Sequence, residues 1–326
     1  MGSIISDRYI PQMAMDIVLE ELNQSNNILS QGIVTLDTSP IIAKGGYKFE
    51  IPYIHRLSVA AGTGTRITNT TTLVPNSLTD TIEYGISVTE GNAISDTEFM
   101  NTKRGNDAVQ FVRTQIAPLV QDYIQAKFNS VLKGVFATAL ATSHTYDVAS
   151  EESDGGGLIK FKTPVLASNL IGEKMNDVKT MIVNSRVYSQ LIEEGLQHGF
   201  SVADNAAIRG EVSLFAGKNV IVNDTIAYSY EDGGTTKYVS YLVGGQPLYL
   251  GIQRGLRIYE DENILLGGKT NIMAWYIDYV PHVKGVSYVS ATNNPDNTAL
   301  ETGASWATRS GIDTKEIKII KMISNL

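Results

Sequence analysis

The sequence predicts an α+β fold, and two observations carry that prediction. Apolar side chains recur every three or four positions over residues 103–141, which is the period of an α-helix with one buried face. Apolar and polar side chains alternate one by one over residues 47–53 and 82–88, which is the period of half-buried β-strands. The 326 residues, 43% hydrophobic and 18% charged, suffice for two hydrophobic cores, and we expect two domains that interrupt each other in sequence.

Residues 1–46 are predicted to form an N-terminal arm. Ile17 and Leu22 lie on one face of a short amphipathic helix within residues 12–27. Residues 28–46 mix Gly, Ser, Thr and Pro without a period, which indicates an extended segment rather than core. Such an arm can reach a neighbouring molecule, so Ile17 and Leu22 are its candidate contacts.

The two alternating segments are expected to pair as the base of an extended hairpin over residues 47–89. Their connection, residues 57–81, is rich in Thr, Gly and Asn and almost empty of large aromatic side chains. A long loop without a core of its own usually rests on another surface. The predicted contacts of this loop with a neighbour are Arg66, Leu73 and Val74.

Residues 90–164 are predicted to form a domain around the long helix, in which Pro118 marks a site for a kink. A helix of about 35 residues would rise roughly 50 Å, which suits a spine. The Gly-rich stretch at residues 151–157 marks a surface turn.

Residues 165–255 are expected to form an independent α+β domain. Ser168 is the candidate N-cap of a helix that precedes an apolar strand at 180–184 and a second helix at 185–196. Further strands are predicted at 219–222, 238–243 and 248–252. Residues 256–326 then supply the strands of a final sheet, at 272–280, 286–289 and 316–324, which closes the domain begun near residue 47.

Composition excludes several classes of site. The chain has no Cys, which excludes disulfides, cysteine zinc sites and thiol nucleophiles and fits a reducing cytoplasm. No segment reaches the roughly 18 uninterrupted apolar residues of a membrane helix, and the N-terminus has no basic flank before an apolar run, so we expect neither export nor a membrane anchor. A net charge of −8 argues against tight wrapping of nucleic acid, so contact with DNA should be loose.

Catalytic motifs are weak. The histidines at positions 55, 144, 198 and 282 invite a search for a catalytic triad, but the nearest string to a G-x-S-x-G elbow, residues 85–91, has Thr89 where the second Gly belongs. Residues 62–67, GTGTRI, lack the third Gly and the following helix of a dinucleotide loop. No catalytic residue and no cofactor are predicted.

Two further clusters have alternative interpretations. The acidic run Glu260–Glu262 suits a hard cation, but without EF-hand spacing a solvated turn between strands is favoured, and no metal site is predicted. Trp275, Tyr276 and Tyr279 suit a platform for stacked bases, but without flanking Lys or Arg core packing is favoured.

In order and content, these elements resemble the Hong Kong 97-like fold of tailed-bacteriophage major capsid proteins. The resemblance covers nearly the whole chain and is carried by the following strings: YKFEIPYIHRLSVAAGTG, IEYGISVTEGNAISDTEF, DAVQFVRTQIAPLVQDYIQAKFNSVLKGVF, MIVNSRVYSQLIEEGL, NVIVNDTI and KEIKIIKMISNL. They correspond to the hairpin (E-loop) strands, the spine helix of the peripheral domain, the start of the inserted axial domain, and the last strand.

The resemblance implies a structural subunit without enzymatic activity or cofactor. Such a subunit self-assembles into the pentamers and hexamers of an icosahedral head that encloses double-stranded DNA. It would be made in the cytoplasm of the host bacterium and end in the virion, away from membranes. Its partners would be other copies of itself, scaffold, portal and decoration proteins, and loosely held, non-specifically contacted DNA.

One member of the fold cross-links its subunits through a lysine on the hairpin loop, but residues 57–81 contain no Lys and the nearest, Lys48, lies at the base. We therefore do not carry that chemistry over. Two alternatives remain at this point: an encapsulin-like nanocompartment shell of the same fold, and a hydrolase of unusual fold, which would need a pocket joining one histidine to a Ser and a carboxylate.

Overall fold

The computed structural model describes residues 32–37, 47–54, 67, 80–97, 116–151, 156–197, 214–263 and 270–325. Among these residues, no helix is both long enough and apolar enough to cross a membrane.

One sheet has four strands, and its centre is a long two-stranded ribbon. Numbered in chain order, its strands are β1 (Val34–Asp37), β4 (Val88–Thr97), β11 (Leu248–Asn263) and β12 (Thr270–Val283). The spatial order is β1–β11–β12–β4, with β1 parallel to β11 and the other pairs antiparallel.

The second sheet has seven strands from distant parts of the chain. They are β5 (Thr145–Asp147), β6 (Val178–Val183), β7 (Leu214–Phe215), β8 (Lys218–Val222), β9 (Ser229–Asp232), β10 (Thr235–Gly244) and β15 (Ile319–Asn325). The order is β5–β15–β10–β6–β8–β7, and β9 pairs with β10 through a hairpin whose turn glycines, Gly233 and Gly234, have positive φ.

Two pairs of strands stand apart from the sheets. β2 (Lys48–Ile54) pairs antiparallel with β3 (Asp80–Ile86), and β13 (Val286–Tyr288) pairs antiparallel with β14 (Trp306–Thr308). The pairing of β2 with β3 confirms the predicted base of the hairpin.

The helices of the described residues, in chain order, are α1 (Ala117–Ala137), α2 (Val148–Glu151), α3 (Thr163–Ser168), α4 (Ser185–Gln197) and α5 (Asn297–Glu301). Short 3₁₀ helices cover Asn169–Asp177, Gly303–Ser305 and Thr314–Glu316.

Helix α1 lies between the two sheets. Its buried face repeats at helical spacing through Val120, Ile124, Phe128, Val131 and Val135. These side chains belong to the larger hydrophobic core, which also takes in apolar residues of the four-stranded sheet and one face of β10. A smaller core lies on the other face of the seven-stranded sheet, under α3 and α4.

The described helix α1 is shorter than the predicted helix. It ends at Ala137 and not at 141, because Thr138 adopts φ −139° and ψ −60° and the chain continues as turns. Pro118 does not kink the described helix, since it lies in the first turn, where its missing N–H is harmless. Residues 98–115 lie outside the described residues.

Ser168 occupies the N-cap position of the 3₁₀ helix Asn169–Asp177, as predicted, but its side chain does not cap that helix. Ser168 is the last residue of α3, and its hydroxyl donates to the carbonyl oxygen of Pro164 at 2.7 Å, four residues back. The other predicted elements of this region are present: β6, α4 and β8 begin and end within two residues of the predicted bounds.

Two segments lie elsewhere than the sequence pattern predicts. Ile33 and Val34 are buried in the larger core, so this part of the residues 28–46 is core and not extended arm. The last strand, β15, pairs with β10 and β5 and not with β12, so it joins the seven-stranded sheet instead of a separate final sheet. Alternation in a single strand specifies two faces but not which sheet receives it.

The acidic run Glu260–Glu262 is also placed differently. The residues belong to β11, which continues beyond the predicted end at 252 to Asn263, and their backbone partners in β12 are Met273, Ile272 and Asn271. Antiparallel pairing is satisfied by backbone groups, so a charged run does not end the strand.

Candidate assembly site

The five predicted contact residues, namely Ile17, Leu22, Arg66, Leu73 and Val74, lie outside the described residues. The structure does describe the strands that carry the hairpin loop, and therefore the way in which the loop is attached to the subunit. The register of β2 and β3 runs from Lys48 opposite Ile86 to Ile54 opposite Asp80.

At residues 82–85, the face of β3 that packs on the body of the subunit carries a charged side chain. Glu83 is 3% exposed and Gly85 is buried, whereas Ile82 and Tyr84 are 42% and 36% exposed. The alternating pattern of residues 82–88 indicates the opposite arrangement, with the apolar side chains inside. The predicted face is therefore wrong at Ile82 and Tyr84, but it is right at Ile86 and Val88, which are fully buried.

Glu83 is held by three groups from the C-terminal part of the chain. His282 Nε2 donates to Glu83 Oε1 at 2.6 Å, and the backbone N–H of Gly285 donates to the same oxygen at 3.0 Å. Arg309 Nη1 donates to Glu83 Oε2 at 2.9 Å. His282 and Arg309 are themselves buried, and we call these four residues the Glu83 cluster.

The electrostatics of the cluster favour the carboxylate form of Glu83. Burial by itself raises the pKa of Glu83, but the hydrogen bond from His282, the backbone N–H of Gly285 and the Arg309 guanidinium together bring that pKa below its usual value of 4.5. A buried carboxylate with both oxygens bonded is costly to leave without partners. The cluster therefore ties the hairpin to the body by directional contacts.

Close backbone approach supports the same attachment. A Cβ on Gly85 would lie 3.0 Å from Val280 Cγ1 of β12, so a larger residue there would push the strand outward. The backbone N–H of Tyr84 donates to Ser287 Oγ at 3.3 Å. The hairpin base thus contacts both β12 and β13.

A second buried polar cluster joins α1 to the four-stranded sheet. Glu90 of β4 forms an ion pair with Lys127 of α1 at 3.2 Å and accepts a hydrogen bond from Tyr279 at 2.5 Å. On the opposite side of α1, the ring of Phe136 lies 5.6 Å from that of Tyr241 in β10. The helix therefore contacts both sheets.

The short strand β1 is fastened at the edge of the four-stranded sheet. Tyr249 donates to Asp37 at 2.9 Å, and Lys284 donates to the hydroxyl of Thr35 at 2.6 Å. These contacts attach the segment that follows residues 1–31 to the body of the subunit.

A group of large apolar side chains is exposed around α3. Each is between 37% and 42% exposed: Leu158, Phe161, Val165, Leu166 and Leu170. Exposed apolar side chains close together in sequence are candidates for contact with another molecule. We call it the α3 patch.

The aromatic residues of β12 divide between core and surface. Trp275 and Tyr279 are buried, which confirms the core interpretation for both. Tyr276 is exposed and packs edge to face against Tyr259 of β11, with ring centroids 5.9 Å apart. The prediction that Tyr276 packs in the core is therefore wrong.

Hydrolytic chemistry finds no support at the described histidines. His144 contacts Ser143 at 2.8 Å, and His282 contacts the carboxylate of Glu83, but the two histidines are 138 positions apart in different clusters, and neither is more than 1% exposed. A surface cavity of about 440 Å³ beside α3 is lined by Lys218 and nine other residues, none of them His, Asp or Glu. His55 and His198 lie outside the described residues.

Metal-binding chemistry is likewise unsupported within the described residues, which contain no group of three or more His, Asp or Glu side chains suited to hold an ion. What the described surface offers instead is a rigidly attached hairpin base and exposed apolar side chains, features that suit contact with other molecules.

Comparison with known proteins agrees with that description. The model of the Major capsid protein 13-like family matches residues 4–317 of this chain. The major capsid protein of Bacillus phage SPP1 is 24% identical over 325 residues, covering 97% of this chain and 96% of that protein.

Solved capsid structures share the fold. The capsid of Ralstonia phage GP4 matches with a TM-score of 0.56 at 11% identity, over 90% of this chain and 87% of that one. The asymmetric unit of the cyanophage Pam1 capsid matches with a TM-score of 0.55 at 11% identity, over 93% and 90%. These comparisons lend no support to the nanocompartment and hydrolase alternatives. Because the family model covers nearly the whole chain, the chain belongs to the Major capsid protein 13-like family, a family of structural proteins and not of enzymes, and it is a major capsid protein of a tailed bacteriophage virion.

Proposed function

We propose that this subunit assembles in the manner of the Hong Kong 97-like fold, into pentamers and hexamers of an icosahedral head that encloses double-stranded DNA. The observation that carries the proposal is the attachment of the hairpin: β2 and β3 are paired and fixed to the body, while the 25 residues 55–79 separate their ends. About 12 residues on each side reach at most roughly 40 Å when extended, far enough to cross onto an adjacent subunit.

In this assembly the hairpin loop lies across the neighbouring subunit, where Arg66, Leu73 and Val74 make the contacts. The loop has little apolar content with which to build a core of its own, so docking on a neighbour stabilises it. The arm contributes Ile17 and Leu22 to a further contact between subunits.

Helix α1 acts as the spine of the peripheral domain. Its contacts with both sheets support this role, since Lys127 binds Glu90 in β4 while the amide of Gln125 accepts from Asn223, which follows β8, at 3.0 Å. A rigid helix that contacts both sheets transmits mechanical force between the parts of the shell that the two sheets form.

Residues 165–255 form the axial domain, which points toward the five-fold and six-fold centres. The α3 patch supports this placement, because an exposed apolar surface beside the sheet is covered when a second copy of the chain packs against it. Many such contacts, each weak, hold a closed shell when symmetry repeats them.

The subunit is made in the cytoplasm of the host bacterium, and scaffold, portal and decoration proteins join it there. The net charge of −8 supports a loose, non-specific contact with the packaged DNA, because phosphate counterions are displaced by clustered Lys and Arg and not by an acidic surface.

Deletion of residues 60–78 tests the proposal. The shortened chain should fold and remain soluble, while negative-stain microscopy of the concentrated protein, alone and co-expressed with its neighbouring genes, should show closed shells or capsomer-sized rings for the full chain only. Shells formed by the shortened chain would contradict the role of the loop. A full chain that stays a small oligomer under every condition would contradict the proposed assembly.

A further inference from the structure

Residues 82–85 of β3 are inverted with respect to the amphipathic pattern of the strand. The charged side chain of Glu83 faces the body of the subunit, and the apolar side chains of Ile82 and Tyr84 face outward, although Ile86 at the end of the strand is buried. Because successive side chains of a strand point to opposite faces, burial of the apolar pair would expose Glu83. Apolar burial is divided between the two faces of the hairpin base, because Phe49, which pairs with Gly85, is buried on the same side as Glu83, while Ile86 is buried at the end of β3. A directional interaction can therefore decide the orientation of residues 82–85.

The Glu83 cluster supplies that interaction. All three partners of Glu83 lie about 200 positions later in the chain, with separations of 199, 202 and 226 residues. Two oxygens accept three hydrogen bonds from a side chain on β12, a backbone N–H at the turn between β12 and β13, and a guanidinium that follows β14. Hydrogen bonds require defined angles, whereas apolar contacts do not, so these contacts fix the orientation of the strand.

The residue next to Glu83 on the same face reinforces this conclusion. Gly85 has no side chain to bury, and its close approach to Val280 leaves no space for one. Between residues 82 and 85, the buried face of β3 therefore offers one carboxylate and no apolar side chain. Here the polar contacts of β3 add to the apolar contact of Phe49 in the paired strand β2, and together they hold the hairpin base against the body.

We propose that Glu83 is a positioning residue for shell assembly. Its bonds to His282, Gly285 and Arg309 keep Ile82 and Tyr84 on the outward face of the hairpin base, where the two side chains meet a second copy of this chain. This inference rests on the proposed function and deepens it by naming the residue that sets the direction of the hairpin. Without the carboxylate, the strand turns its apolar face inward or leaves the body.

The test compares Glu83→Gln with Glu90→Gln. Both substitutions remove a carboxylate that binds one cationic side chain and at least one further donor, but Glu90 lies within the body, between β4 and α1. In the soluble, unassembled subunit, amide hydrogen exchange of β2 and β3 should accelerate about tenfold or more in Glu83→Gln, the factor expected when a hydrogen bond to a charged group is lost. Exchange in α1 should stay as in the unmodified chain.

A distance measurement reports orientation directly. The chain has no Cys, so spin labels attached at Glu50→Cys on the exposed side of β2 and Asp122→Cys on the exposed side of α1 are the only labels present. One narrow distance distribution is expected with Glu83 in place. A broad or shifted distribution is expected in the Glu83→Gln background, and an unchanged one in the Glu90→Gln background.

Shell yield, measured by sedimentation and microscopy, links orientation to assembly. Glu83→Gln should lose closed shells, and Glu90→Gln, which weakens one contact of α1 but leaves the hairpin base attached, should lose far fewer. If Glu83→Gln forms shells with an unchanged distance distribution, or if both variants lose shells equally, the positioning role is overturned. If Glu83→Gln fails to fold, Arg309→Lys takes its place, because lysine keeps the positive charge but changes the geometry of the hydrogen-bond donor. Arg309→Lys must then show the faster exchange in β2 and β3 and the altered distance distribution. Failure of the unmodified chain to form shells would overturn the proposed function, while the exchange and distance results would still decide how Glu83 orients the strand.

Discussion

The hairpin base and the seven-stranded sheet are joined to the subunit in opposite ways. Strand β10 buries apolar side chains on both faces, with Tyr241 and Val243 in the larger core and Leu242 in the smaller one. Strand β3 buries Ile86 at its end, but at residues 82–85 it packs on the body through Glu83 while Ile82 and Tyr84 face outward.

This difference separates two properties of a strand: the stability that it contributes to the subunit, and the orientation in which it is held. Burial of apolar area stabilises a sheet in proportion to the area removed from water, but it tolerates small shifts of one surface over another. The three bonds of Glu83 add less area and allow one orientation only. The proposed assembly uses both, because it requires a stable core and a hairpin that leaves the body at a constant angle.

The largest expected effect is in the core. Phe128→Ala should lower the free energy of unfolding by about 3–5 kcal/mol, because Phe128 is fully buried in the face of α1 that lies between the sheets. Urea unfolding of the soluble subunit measures the loss. The matched control is Phe161→Ala at an exposed position of the α3 patch, which should cost much less; equal losses would contradict the assignment of the core.

Sequence periodicity predicts most of what apolar burial determines. The helical repeat of residues 120–135 and the strands β6, β8 and β10 lie where the pattern indicates. The predicted face is wrong at Ile82 and Tyr84 because an apolar alternation carries no information about a partner such as Arg309, 226 positions from Glu83. The signal in the sequence for this polar contact is Glu83, a charged residue between the apolar residues Ile82 and Tyr84. The contacts of the arm and loop stay predictions.

Acid should weaken the hairpin attachment before it affects the apolar core. The pKa of Glu83 lies below 4.5, so the folded state holds the carboxylate charged while the unfolded chain takes up a proton first as pH falls through 4.5. Glu83 therefore contributes its full stability above pH 4.5 and progressively less below it. The groups that face it are His282, Arg309 and Lys284.

The difference in thermal midpoint between the unmodified chain and Glu83→Gln measures this effect. It should be largest near pH 6 and should shrink as the pH is lowered from 4.5. A difference that stays constant over that range would show that the charge of Glu83 contributes nothing to the attachment.

The edge of the seven-stranded sheet should respond in a different pH window. His144 precedes β5 and is buried, and burial lowers its pKa below 6.5 against the opposing effect of the backbone groups of Ile317 and Thr314. The unfolded chain binds a proton below pH 6.5 before the folded one does, so stability is full above that pH and falls below it.

Replacement of His144 by Gln removes the titrating group. The thermal midpoint of the unmodified chain should fall more between pH 7.5 and 5.5 than that of His144→Gln, and by less than the change caused by Phe128→Ala. Identical slopes for the two chains would contradict the buried, neutral histidine.

The smallest effect on stability is expected at the α3 patch, where the effect on assembly should nevertheless be large. Leu166 is 37% exposed, and replacement by Lys should change the free energy of unfolding by no more than about 0.5 kcal/mol, as is usual for surface positions. In a shell the new ammonium group would have to be buried against a second subunit without a partner, which is costly. Sedimentation should therefore show fewer shells from Leu166→Lys, with Lys162→Leu, at an exposed neighbouring position, as the control that leaves the yield unchanged. Normal shells from Leu166→Lys would mean that the α3 patch stays in water after assembly, and that the contacts between copies lie with the hairpin and the arm.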